Sequence, residues 1–152
     1  MIKRLMTTHA PKAPLLIRLA VGAVFLSEGI QKFLFRADVG AGRFAKIGLP
    51  SPEFLAPFVG SFEMLCGSLI LVGLFTRLAA IPLLTIMGVA IYTTKIPMLA
   101  KNGFWKMAHE ARTDWAMLLG SLYLGLVGAG HLSFDTRAAS SPKNSPPNET
   151  PV

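Results

Sequence analysis

Two acidic residues lie inside strongly apolar stretches of the chain, Glu28 in the first stretch and Glu63 near the middle of the second. Lys32 follows Glu28 at the i,i+4 spacing that places an acid and a base side by side on a helix. An ionisable group at membrane depth costs about 2.5–3.5 kcal/mol to insert, so it needs a partner, a proton or a ligand. Function is therefore sought first at these residues.

Arg18 and Lys32 lie on the same side of the first apolar stretch. At about 100° per residue they are about 40° apart around a helix, and Glu28 is about 80° from Arg18. Two interpretations are open. Either the two cations extend to the membrane interfaces and Lys32 neutralises Glu28 locally, or all three face the bundle interior as a polar cluster.

Glu63 has no basic residue on its own apolar stretch before Arg77. Gly60 and Gly67 share its face, and small residues let a neighbouring helix approach closely. The charge of Glu63 must therefore be balanced from another helix, by a proton or by a ligand. A structural ion pair, a ligand- or proton-handling role and a water-solvated position are all open. The predicted intramembrane site consists of Arg18, Glu28, Lys32, Glu63 and Arg77.

A second group of polar residues flanks the last apolar stretch. Glu110 and Asp114 precede it, and an acid at a helix N-terminus is favoured by the helix dipole. His131 follows the stretch in a glycine-rich break. Glu110, Asp114 and His131 form a candidate interface site.

The composition places these residues in a membrane protein. Of 152 residues, 52% are hydrophobic and 15% are charged, against about 25% charged in soluble domains. The predicted fold is an all-α, integral membrane four-helix bundle with short interfacial segments, and its helices are predicted over residues 14–35, 53–75, 78–97 and 114–134. The predicted domains are a basic leader (1–13), the transmembrane domain (14–135) and a disordered tail rich in Pro, Ser and Asn (136–152).

Several functions are excluded at this point. The net charge of +7 does not indicate nucleic acid, because the basic residues are scattered between apolar runs and are typical of lipid-headgroup contacts. Cys66 is the only cysteine, so no disulfide or Cys-x-x-Cys pair can form. The three histidines lie far apart in sequence, and no metal site is predicted. No self-contained catalytic motif is present.

The order and spacing of these residues resemble the DoxX family of small four-helix membrane proteins. The similarity covers roughly residues 14–135. His131 departs from the pattern, because family members often carry a basic residue there. The motifs that carry the resemblance are residues 18–22, 28–33, 48–52, 63 with 67, 73–80, 110 and 128–135.

The resemblance implies a bacterial inner-membrane protein that is a subunit or accessory of a quinone-linked oxidoreductase, with a quinone as ligand and a protein partner in a membrane complex. The missing cysteine pair excludes a disulfide relay like that of vitamin K epoxide reductase. The alternatives are a non-catalytic scaffold or assembly partner and a small-molecule or proton carrier, and homo-oligomers are also open. The basic leader favours a cytoplasmic N-terminus, and an even number of helices puts the C-terminus on the same side.

Overall fold

The protein is all-helical over the part of the chain that the structure describes. The computed structural model describes residues 13–139, and no strand occurs among them, which confirms the predicted all-α class. The helices, numbered in chain order, are α1 (Ala13–Leu34), α2 (Ala41–Lys46), α3 (Pro52–Val72), α4 (Thr76–Ala90), a π-helical segment (Ile91–Lys95), α5 (Ile96–Asn102), α6 (Phe104–Glu110), α7 (Arg112–Val127) and α8 (Phe134–Ala139).

The predicted leader and tail fall largely outside the described residues, which leave out residues 1–12 and 140–152. The tail was predicted to begin at residue 136, but helix α8 runs from Phe134 to Ala139 across that boundary. Ser133 starts this helix, because its hydroxyl oxygen accepts a hydrogen bond from the amide of Thr136 at 3.2 Å. Helical structure therefore extends beyond the last apolar stretch.

Three helices are long and apolar enough to cross a membrane. They are α1, α3 and the continuous run Thr76–Asn102, which joins α4, the π-helical segment and α5. The helix predicted over 114–134 ends earlier, at Val127, because Gly128 and Gly130 adopt positive φ angles of 89° and 76°. The 16 residues of α7 are fewer than the ~20 that span a hydrocarbon core. The protein is a helical membrane protein with three candidate spans.

The helices pack as two pairs, α1 with α3 and α4 with α7, and the pairs join through α3–α4 and α1–α7 contacts. Glycines let α1 and α3 come very close. A Cβ added to Gly22 would lie 2.8 Å from the carbonyl oxygen of Gly67, and one added to Gly29 would lie 2.7 Å from that of Gly60. The buried core between the pairs contains Val21, Phe25, Cys66, Ile70, Leu83 and Leu124.

Helix α4 is capped by a residue from the far end of the chain. The chain enters α4 through Phe75, whose φ of 50° is unusual for a residue with a side chain. Asp135 accepts hydrogen bonds from the amides of Phe75 at 2.7 Å and Thr76 at 3.1 Å, one to each carboxylate oxygen. A carboxylate at this position satisfies free amides and complements the helix dipole. Asp135 thus fixes the start of the third span.

We expect Asp135→Ala to lower the free energy of unfolding by about 1–2 kcal/mol, because two amides of α4 lose their acceptor. The measurement is the apparent melting temperature in detergent micelles. Asp38→Ala is the matched control, since Asp38 is exposed and the described residues give its side chain no hydrogen bond. Equal melting temperatures for the two variants would contradict the cap.

Candidate functional site

A cavity of about 650 Å³ lies between the two helix pairs. This volume falls within the range of about 300–1,000 Å³ typical of small-molecule sites. Apolar side chains form most of the wall, and α2 contributes Arg43 and Phe44 to it. The charged residues that line the cavity are Glu28, Lys32, Arg43, Glu63, Lys95 and Asp114.

Lys32 and Glu63 form a buried ion pair in the wall of this cavity. Lys32 Nζ lies 2.6 Å from Glu63 Oε2, and the two residues are only 9% and 4% exposed. The close glycine contact between Gly29 and Gly60 brings α1 and α3 together one turn away from Lys32. The charge on Glu63 is therefore balanced by Lys32 from another helix. This is the first of the three possibilities that the sequence left open.

The ion pair leaves hydrogen-bonding capacity on Glu63 unused. Lys32 is the partner that the described residues give the Glu63 carboxylate, at 2.6 Å from Oε2, whereas a carboxylate has about four acceptor sites. Unused acceptor capacity on a buried carboxylate is costly. A ligand or water in the cavity would lower that cost.

Glu28 is a weaker partner of Lys32 than the i,i+4 spacing suggests. Its carboxylate lies 3.9 Å from Lys32 Nζ, and its side chain is 47% exposed. A partly solvated pair at this distance contributes little to stability. The local pairing of Glu28 with Lys32 is therefore secondary to the pair between α1 and α3.

Arg18 does not belong to this site. It lies 14 residues before Lys32 on α1, about 21 Å away along the axis. Its guanidinium is fully buried and donates to the carbonyls of Ile70 at 2.9 Å and Leu71 at 2.8 Å, near the C-terminus of α3. It also donates to the carbonyls of Ala129 and Leu132, which follow α7. Arg18 thus satisfies carbonyls that a helix end leaves free.

Arg77 and His131 also lie apart from the cavity. Arg77 is exposed near the start of α4, where Nη2 lies 3.4 Å from the carbonyl oxygen of Val127. His131 is exposed in the segment that follows α7. The predicted five-residue site and the predicted interface site are therefore both divided between the two ends of the bundle, because residues on one helix face can be far apart along its axis.

Lys95 was not among the predicted site residues, yet it forms the second ion pair of the cavity. Its Nζ lies 3.0 Å from Asp114 Oδ2 and donates to the carbonyl of Glu110 at 3.0 Å. Lys95 is buried, whereas the carboxylate of Glu110 is exposed. The third helix was predicted to end at residue 97, only two residues after Lys95. The helix instead continues to Asn102.

The π-helical turn before Pro97 positions Lys95. Proline has no amide hydrogen, so the helix cannot form its regular bond to the carbonyl of Thr93, and the turn widens there. The hydroxyls of Thr93 and Thr94 donate to the carbonyls of Val89 at 2.8 Å and Ala90 at 2.6 Å, which lie in the preceding turn. A proline two residues after a lysine was the signal that could have identified this position.

These features define a helical membrane protein with a mostly apolar cavity that is lined by two ion pairs. The chain belongs to the DoxX family, whose model matches residues 13–96. That match covers Lys32, Glu63 and Lys95, and it ends before Asp114.

Two relatives extend over nearly the whole chain. The "uncharacterized membrane protein Rv3486" of Mycobacterium tuberculosis is 49% identical over 140 residues, which cover 88% of this chain and 86% of the relative. CatD of Bacillus subtilis, whose name describes it as a candidate oxidoreductase, is 34% identical over 132 residues. These residues cover 86% of this chain and 90% of CatD. No solved structure matches the chain.

Proposed function

We propose that this protein binds a quinone in the cavity between the two helix pairs and acts as a subunit or accessory of a quinone-linked membrane oxidoreductase. The observation that carries the proposal is the Lys32–Glu63 pair, which is buried in the wall of a largely apolar cavity and leaves part of the acceptor capacity of the carboxylate unused by the described residues. The name of the relative CatD supports the same class of function.

The residues fit the chemistry of a quinone. A quinone is a flat apolar ring with carbonyl acceptors, and its reduction to a quinol consumes two electrons and two protons. The ammonium of Lys32 can donate a hydrogen bond to a carbonyl, and Glu63 can deliver the protons beside it, one at a time, because water at the open side of the cavity reprotonates it after each transfer. A redox partner protein in the membrane supplies the electrons.

The proposal includes the arrangement of the protein in the membrane. Helix α7 packs on α4 and α1, and in this proposal it crosses the bacterial inner membrane as a short fourth span, so that both termini lie on the cytoplasmic side. Lipids surround the exposed apolar faces of this bundle, and a protein partner or a second copy of the chain binds part of them. The transmembrane domain corresponds to residues 14–135.

We expect a quinone in the lipid extract of the purified protein, and we expect Glu63→Gln to lower quinone reduction by native membranes at least tenfold. Glutamine keeps the shape of the side chain but cannot carry the proton. Glu53→Gln is the matched control, because Glu53 is exposed at the start of the same helix and does not line the cavity. Absence of quinone from the extract together with unchanged reduction in Glu63→Gln would refute the proposal.

A non-catalytic scaffold is the second candidate. It is favoured by the observation that each ion pair joins the two helices of one pair, Lys32 with Glu63 and Lys95 with Asp114. In that case Glu63→Gln lowers the yield of the assembled membrane complex, and the reduction rate per assembled complex stays the same.

A further inference from the structure

Two lysines face the same cavity from different helix pairs. Lys32 belongs to α1 and pairs with α3, whereas Lys95 precedes α5 and pairs with α7. Both side chains line the cavity, and both residues are 9% exposed. Burial of a charged group is costly unless other groups compensate the charge. Two buried lysines in one cavity wall therefore need a specific explanation.

Lys95 has a hydrogen-bond donor to spare. An ammonium carries three N–H donors, and the described residues offer Lys95 two partners, Asp114 Oδ2 and the carbonyl of Glu110. Three of the neighbouring hydroxyls are already used, because Thr85, Thr93 and Thr94 each donate to a carbonyl of their own helix. Thr113 also lines this wall, but its hydroxyl is a neutral donor. Lys95 is therefore the charged donor that this wall presents to a ligand.

We infer that Lys95 is a second ligand-binding residue, so that the cavity selects molecules with two oxygen acceptors on one flat apolar ring, such as para-quinones, over molecules with one. This inference rests on the proposed function and adds to it. Lys32 binds one carbonyl and Lys95 binds the other. Each helix pair then contributes one donor, and Asp114 and Glu110 hold Lys95 in place.

The test compares two ligands of similar shape that differ in the number of carbonyls. The full-length protein in lipid nanodiscs is titrated calorimetrically with 2,3-dimethyl-1,4-naphthoquinone and with 1-tetralone, which has one carbonyl on a fused ring of the same size. We expect Lys95→Met to weaken quinone binding about tenfold, the loss of one charge-assisted hydrogen bond, and to change tetralone binding less than twofold. Lys101→Met, an exposed position on α5, is the control.

Further variants separate this inference from the proposed function. Lys32→Met should weaken both ligands, because Lys32 is the donor that either ligand uses. The double variant Lys95→Met/Asp114→Leu removes both charges of the second pair, so it tests the same selectivity without an unpaired buried acid. Equal losses for both ligands in the Lys95 variants, or no loss for the quinone, would overturn the inference alone. A wild-type protein that binds neither ligand would overturn the proposed function and the inference with it.

Discussion

Replacement of Arg18 by methionine is expected to prevent stable folding. Arg18 is 2% exposed, and its guanidinium binds four carbonyls that belong to the end of α3 and to the segment after α7. Hydrogen bonds from charged donors contribute about 1.5–3 kcal/mol each, so their sum approaches the roughly 5–15 kcal/mol by which whole proteins are stable. Methionine fills similar space but donates no hydrogen bond.

Arg18→Met should therefore yield little monodisperse protein on gel filtration in detergent. Arg18→Lys should give an intermediate yield, because lysine keeps the charge but not the planar fork that reaches several carbonyls at once. Arg36→Met controls for loss of an arginine, since Arg36 is exposed just beyond α1. Wild-type yield and melting temperature for Arg18→Met would show that these carbonyls have other partners.

Replacement of Lys32 by methionine should cost about 3–5 kcal/mol of stability, because it leaves the buried Glu63 without its counter-charge. The double variant Lys32→Met/Glu63→Leu removes both charges and should recover most of that loss. Unfolding in mixed micelles with increasing denaturing detergent gives the free energies, and the double-mutant cycle gives the coupling between the two residues. Lys46→Met on α2 is the exposed control.

Strictly additive effects would mean that Lys32 and Glu63 do not interact, contrary to the 2.6 Å contact. The double variant also separates the two candidate functions. A protein that is stable again and still inactive in quinone reduction supports a ligand-handling pair. Recovery of both stability and activity supports a scaffold in which the pair only joins α1 to α3.

The sequence was sufficient to predict an all-helical membrane protein of the DoxX family and to identify Glu63 as a buried charge in need of a partner. Helical periodicity also placed Lys32 and Arg18 on one face of α1. Periodicity gives the angular position of a residue around a helix, but it does not show which groups of other helices lie at the same height. Lys32 and Arg18 are about 21 Å apart along the axis of α1. They therefore serve opposite ends of the bundle.

Helical periodicity could not identify Lys95, for a different reason. Its direction depends on a π-helical turn, and periodicity analysis assumes a constant rotation per residue. Its partner Asp114 was interpreted as an acid at a helix N-terminus, where the helix dipole favours a negative charge. That interpretation does not require a partner from another helix. Only the packing of α4 and α7 shows that the two charges meet.

The segment from Ala129 to Asp135 holds the first and third spans together, and it is synthesised after all of the helices that it joins. Arg18 leaves the ribosome more than a hundred residues before the carbonyls of Ala129 and Leu132 exist. Until then its guanidinium lacks two of its four acceptors, and the start of α4 lacks its cap. The membrane insertion machinery therefore handles α1, α3 and α4 before these contacts exist, and the contacts form only after the segment that follows α7 has been synthesised.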